Sequence, residues 1–139
     1  MTDLATDLPF TVDVPIRYRD LDTFSHVNNA VYVTYLESAR TAYLEAVTDL
    51  SIEDYGFVVA NLEIDYERSI TMGQDVVVAT GTTKLGTSSW TMSYEIYADE
   101  TRAATGETTL VCVDPETRSS APMPDSMRQR IVEYEGLEG

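Results

Sequence analysis

Residues 30–47, AVYVTYLESARTAYLEAV, have the spacing of a helix with almost no polar face. Val31, Tyr35, Ala39, Ala42 and Ala46 recur at three- and four-residue intervals, and Tyr32, Leu36, Tyr43 and Val47 widen the stripe. Little of such a helix can face water, so other chain has to wrap it, most simply a curved sheet. The rest of the sequence reads as the strands of that sheet. Phe10–Arg19 alternates apolar and polar residues, with Pro15 marking an edge or an irregularity. Leu62, Ile64 and Tyr66 alternate strictly with Glu63, Asp65 and Glu67, and 75–83 is a β-branched run. Trp90, Met92, Tyr94 and Ile96 define a further strand, and 102–113 another, with turn signals at 69–73, 84–86 and 99–100. Asp125 opens a short helix through Glu133, with Met127 and Ile131 on one side. Residues 1–9 read as a loose lead-in.

The order is one strand, one long helix, then four consecutive antiparallel strands: an α+β arrangement of a single domain over 1–139. A sheet of this kind keeps exposed edges, and pairing two sheets edge to edge in a homodimer covers one of them.

Composition narrows the function. The net charge is −15, from 24 acidic residues against nine basic ones, of which Lys84 is the only lysine. Such a surface has no basic face with which to displace counterions, which argues against nucleic-acid binding. The acids are spread over the whole chain, the pattern of a haloadapted protein whose self-repulsion is screened where the Debye length falls to ~3 Å at molar salt. No apolar run approaches a membrane span, and the acidic start MTDLATDLPF lacks the features of a signal peptide, so the cytoplasm is expected. Cys112, the single cysteine, sits in the strand-like run Leu110–Val113 and reads as a small buried hydrophobe.

Between the first strand and the long helix lies a polar loop with Asp20, Asp22, Ser25, the only histidine (His26), Asn28 and Asn29. A helix start carries four N–H groups without intrahelical partners and a partial positive charge, so it receives an anion or an oxygen on which negative charge develops. Asn28 or Asn29 is the expected N-cap. One His and one Cys far apart make no zinc ligand set, and no G-x-S-x-G context supports a serine triad.

The run Arg17-Tyr18-Arg19-Asp20-Leu21-Asp22-Thr23-Phe24-Ser25-His26-Val27-Asn28-Asn29, followed by Tyr32 and Glu37-Ser38-Ala39-Arg40, resembles the 4-hydroxybenzoyl-CoA thioesterase-like branch of the hotdog-fold superfamily. Ile64-Asp65-Tyr66-Glu67-Arg68, Gly73-Gln74-Asp75-Val76, Leu85-Gly86-Thr87-Ser88-Ser89 and Val111-Cys112-Val113-Asp114 extend the likeness over about 10–130. Ser25 departs from it, because the family often has Gly there. The resemblance implies an antiparallel sheet wrapped around one long central helix, a homodimer or a tetramer built on it, and active sites at the subunit interface. It also implies hydrolysis of an acyl thioester of coenzyme A or acyl carrier protein, with coenzyme A as part of the substrate and no other cofactor. On that basis Asp22 is the nucleophile or general base, and His26 orients it or binds the thioester. Backbone N–H groups near Asn29, with the Asn28 side chain, receive the carbonyl oxygen. Glu37 is either an ion-pair partner of Arg40 at i+3 or a second catalytic carboxylate. Arg68, Lys84 and Arg118 are the cations available to coenzyme A phosphates. An enoyl-CoA hydratase or dehydratase and a non-catalytic acyl-CoA-binding module are the competing readings.

Overall fold

The computed structural model describes residues 4, 6–48 and 56–137; the rest of the lead-in, 1–3 and 5, lies outside the described residues. Strands β1 (Phe10–Val14), β2 (Gly56–Tyr66), β3 (Val76–Leu85), β4 (Ser89–Ala98) and β5 (Thr101–Val113) form one antiparallel sheet in the order β1-β3-β4-β5-β2. Helix α1 spans Val31–Thr48 and α2 spans Asp125–Glu135. β3, β4 and β5 form a meander. β2 follows α1 in the chain yet pairs with β5, at the edge of the sheet opposite β1. Of the four strands after the helix, only the last three are thus spatially consecutive.

The alternation in β4 decides which face is covered. Trp90, Met92, Tyr94 and Ile96 are all buried, and with Leu110 and Cys112 of β5 they form the floor on which α1 lays Tyr32, Leu36, Ala39, Tyr43 and Val47. The cover is shared by two helices, not one: α2 adds Met127 and Ile131 to the same core. Its last turn sends Glu135 inward, where one carboxylate oxygen accepts Tyr43 Oη–H at 2.6 Å and the Thr82 N–H at 2.7 Å. Burial, and then the Glu135 carboxylate, hold the Tyr43 phenol well above its ordinary pKa.

β1 stops at Val14, since Pro15 has no N–H to offer, and Tyr18–Asp20 form a single 3-10 turn closed by Asp20 Oδ2 on the Arg17 N–H at 2.8 Å. The described part of the lead-in is tied down: the Thr6 hydroxyl donates to Glu95, and Pro9 packs so close to Gly81 that a Cβ there would meet it at 2.7 Å. At the other edge, β2 exposes Val58 and Val59 by nearly half of their surface. Among the described residues no helix is long and apolar enough to cross a membrane.

Candidate active site

The loop between the 3-10 turn and α1 is a closed polar turn. Asp22 Oδ1 accepts two backbone N–H groups, from Phe24 at 2.9 Å and His26 at 3.2 Å, while the Asp22 N–H donates to the His26 carbonyl at 2.7 Å. This is the behaviour that makes aspartate a turn residue. It forces Ser25 to φ 63°, a left-handed conformation in which glycine carries less strain. The other Asp22 oxygen has no hydrogen bond among the described residues. His26 meets the carboxylate through its backbone N–H, and its ring makes no hydrogen bond to Asp22 among the described residues.

Asn28 supplies the N-terminal cap: its Oδ1 accepts the Ala30 N–H at 2.9 Å, and its carbonyl accepts the Val31 N–H at 2.8 Å. The Asn28 N–H goes to the Asp20 carbonyl at 2.8 Å and the Tyr32 N–H to the Asn29 carbonyl at 3.3 Å. From Asn28 to Tyr32 this leaves one N–H without an acceptor among the described residues, that of Asn29. Asp20 is structural, since its Oδ2 also accepts Tyr35 Oη–H at 3.1 Å.

Asp22, His26, Asn29, Tyr32, Tyr66 and Arg68 line one cavity of about 290 Å³. Two tyrosines close its wall. Tyr66 Oη–H donates to the Asn29 carbonyl at 2.8 Å, Tyr32 Oη–H to the Arg68 carbonyl at 3.1 Å, and the two rings meet edge to face at 5.0 Å. Sequence reasoning placed Tyr66 on a strand without assigning it to the site. The signal was there in its alternation with Ile64 and Leu62, but its reach to Asn29 depends on where β2 ends. Glu67 is held by Arg102 at 2.7 Å, an interaction that lowers the Glu67 pKa, and Arg68 has no ion-pair partner among the described residues.

Residues 16–131 match the family model of the thioesterase-like superfamily. The chain belongs to that superfamily. It is a thioesterase with the hotdog fold. The long-chain acyl-CoA thioesterase FadM of Escherichia coli is 26% identical over 123 residues, 85% of this chain and 93% of that protein. The 1,4-dihydroxy-2-naphthoyl-CoA hydrolase of Nostoc punctiforme is 23% identical over 127 residues, 88% of this chain and 86% of that protein. A thioesterase of Thermus thermophilus, solved with coenzyme A and zinc, superposes with a TM-score of 0.86 at 40% identity, covering 94% of this chain and 97% of that one. Among the described residues of this thioesterase no three His, Cys, Asp or Glu side chains are grouped as metal ligands.

Other residues singled out in the sequence lie away from this cavity. Glu37 is exposed, about 12 Å along α1 from Asn29 by helical rise. The expected Glu37–Arg40 ion pair is not formed: Arg40 turns under the helix, 5% exposed, and donates to Tyr94 Oη at 3.3 Å. Lys84 lies near the end of β3 and Arg118 beyond the end of β5, at the opposite end of the sheet from Arg68. Strand direction is the reason. Arg68 follows the end of β2 that pairs with the start of β5, whereas Arg118 follows the other end of β5.

Proposed function

We propose that this thioesterase hydrolyses acyl-CoA thioesters at the Asp22 cavity. The observation that carries the reading is the coincidence, in one cavity, of an Asp22 carboxylate oxygen and an Asn29 backbone N–H that have no hydrogen-bond partner among the described residues. Thioester hydrolysis needs both: a nucleophile or base for the carbonyl carbon, and a fixed donor for the oxygen as it becomes negative. As nucleophile, the free oxygen of Asp22 adds to the carbonyl carbon. The resulting oxyanion is held by the Asn29 N–H and collapses with loss of the coenzyme A thiolate to a mixed anhydride, which water cleaves. As general base, Asp22 takes a proton from a water that adds instead, and the same thiolate leaves. Tyr66 and Tyr32 hold the Asn29 turn against the end of β2. Arg68, on the rim, meets a coenzyme A phosphate. A 40%-identical relative solved with coenzyme A supports that substrate class.

The site reads as one half of a dimer. The exposed edge of β2 pairs with itself across a two-fold axis, a pairing that has to be antiparallel. The partner's Arg118 and the partner's Lys84 then come to the end of the sheet that carries Arg68. Placing a charge on the edge with Val59→Lys halves the mass in solution and removes activity with it; a fully active monomer excludes the shared site. A lone buried thiol suits the reducing cytoplasm.

The direct test is hydrolysis of short, long and aryl acyl-CoA esters in high salt, read with a thiol reagent. Release of coenzyme A that is lost in Asp22→Asn supports the reading. Full activity in Asp22→Asn removes Asp22 from the reaction, and saturable binding without release assigns the cavity to a binding module.

A further inference from the structure

Arg17 and Arg19 flank Tyr18 at the 3-10 turn, and both line a second cavity, of about 360 Å³, between that turn and α1. Thr34 and Ser38, exposed and one helical turn apart, line it from the helix. Asp20 is the one acidic residue in this lining among the described residues, and its Oδ2 already accepts the Arg17 N–H at 2.8 Å and Tyr35 Oη–H at 3.1 Å. The Asp22 cavity has the reverse balance, with Arg68 set against Asp22 and Glu67.

Neither guanidinium has an ion-pair partner among the described residues, although the chain offers 24 acidic residues against nine basic ones. Arg102 shows what such a surplus can supply, since it reaches both Glu67 and Glu95. Two like charges on one small cavity repel each other, and here the chain provides no free carboxylate to offset them. An anion from solution does so. The donors narrow its identity. Each guanidinium offers a planar fork of N–H groups that matches phosphate bidentately, and each hydroxyl adds a single O–H. A carboxylate has only two oxygens to share among these donors, whereas the tetrahedral oxygens of a phosphate group can meet both forks and the helix hydroxyls together. The volume is that of a small-molecule site.

We propose that this cavity is a phosphate site, separate from the Asp22 cavity, that takes the phosphate group of a small molecule. The two cavities share no lining residue. They meet at Asp20, whose side chain borders the phosphate site and whose carbonyl accepts the Asn28 N–H at 2.8 Å. A phosphate spanning Arg17, Arg19 and α1 ties the 3-10 turn to the helix, so occupancy steadies the loop that carries Asp22.

The test is a calorimetric titration of the whole protein at constant ionic strength with inorganic phosphate and with adenosine monophosphate, adenosine being the phosphate-free control. At least one of the two phosphates is expected to bind with a Kd of about 1 mM or tighter, and the tighter one names the source as free phosphate or a nucleotide. In Arg17→Gln/Arg19→Gln that affinity falls by about tenfold or more. Arg130→Glu, at an exposed position of α2, changes the net charge by the same amount and retains it. The double variant keeps kcat/KM for acyl-CoA esters within a few-fold. Absence of saturable binding of either phosphate by the wild type overturns the proposal, as does equal binding of adenosine or an equal loss in Arg130→Glu. A large rise in the acyl-CoA KM of the double variant would place these arginines in the coenzyme A site and end the separation. The titrations do not involve Asp22, so failure of the catalytic reading leaves them to decide on their own.

Discussion

On the proposed mechanism Asp22 does two things with its two oxygens, and two substitutions separate them. Oδ1 holds the loop through the Phe24 and His26 N–H groups at 2.9 and 3.2 Å, and the other oxygen, without a hydrogen bond among the described residues, is the one proposed to act on the thioester. Asp22→Asn keeps an acceptor at Oδ1 and removes the carboxylate; Asp22→Ala removes both. At about 1 kcal/mol for each lost hydrogen bond, Asp22→Ala is less stable than Asp22→Asn by about 2 kcal/mol. For a domain of this size that is a difference in Tm of about 6–10 °C. The activities of the two variants fall together, by about a thousandfold or more, because neither has a nucleophile or base. Thermal unfolding at high salt and a thiol-release assay on the same samples give both numbers. Equal Tm values for the two variants would show that the carboxylate does not hold the turn. Full hydrolysis by Asp22→Asn with native Tm would refute the catalytic role while leaving the structural one intact.

Tyr43→Phe leaves Glu135 on the Thr82 N–H but removes the phenol, and is expected to cost about 1 kcal/mol at neutral pH, read by denaturant unfolding. Because the folded protein holds the Tyr43 phenol above its unfolded value near 10, that contribution is complete below pH ~10 and lost as pH rises beyond it. Tyr43→Phe therefore flattens the alkaline limb of the stability curve, and an unchanged limb would count against the buried phenol as its source. Ser25→Gly relieves the left-handed φ of 63° and should raise stability by about 1 kcal/mol with activity retained; a lower Tm would mean that the loop is not strained. With a charge of −15, Tm should climb as salt rises from millimolar to molar, and a flat profile would argue against haloadaptation.

Much of this fold is legible in the chain because it depends on local periodicity. The apolar stripe of 30–47 marks α1 almost to the residue, Asp125 marks the start of α2, and the alternation of Trp90, Met92, Tyr94 and Ile96 names the covered face of β4. The cap at Asn28 and the turn chemistry of Asp22 and Ser25 are likewise properties of neighbours in sequence. What tertiary structure alone decided involves partners far apart in the chain. Spacing suggested that Glu37 would hold Arg40, yet burial on the sheet turned Arg40 to Tyr94, 54 residues away. Arg68, Lys84 and Arg118 are alike as cations in the sequence, but strand direction sends the first to one end of the sheet and the other two to the opposite end. Tyr66 reaches Asn29 across 37 residues. Side-chain pattern records which face of an element is buried; it carries no record of which element arrives opposite, because that is settled by the packing of the whole chain.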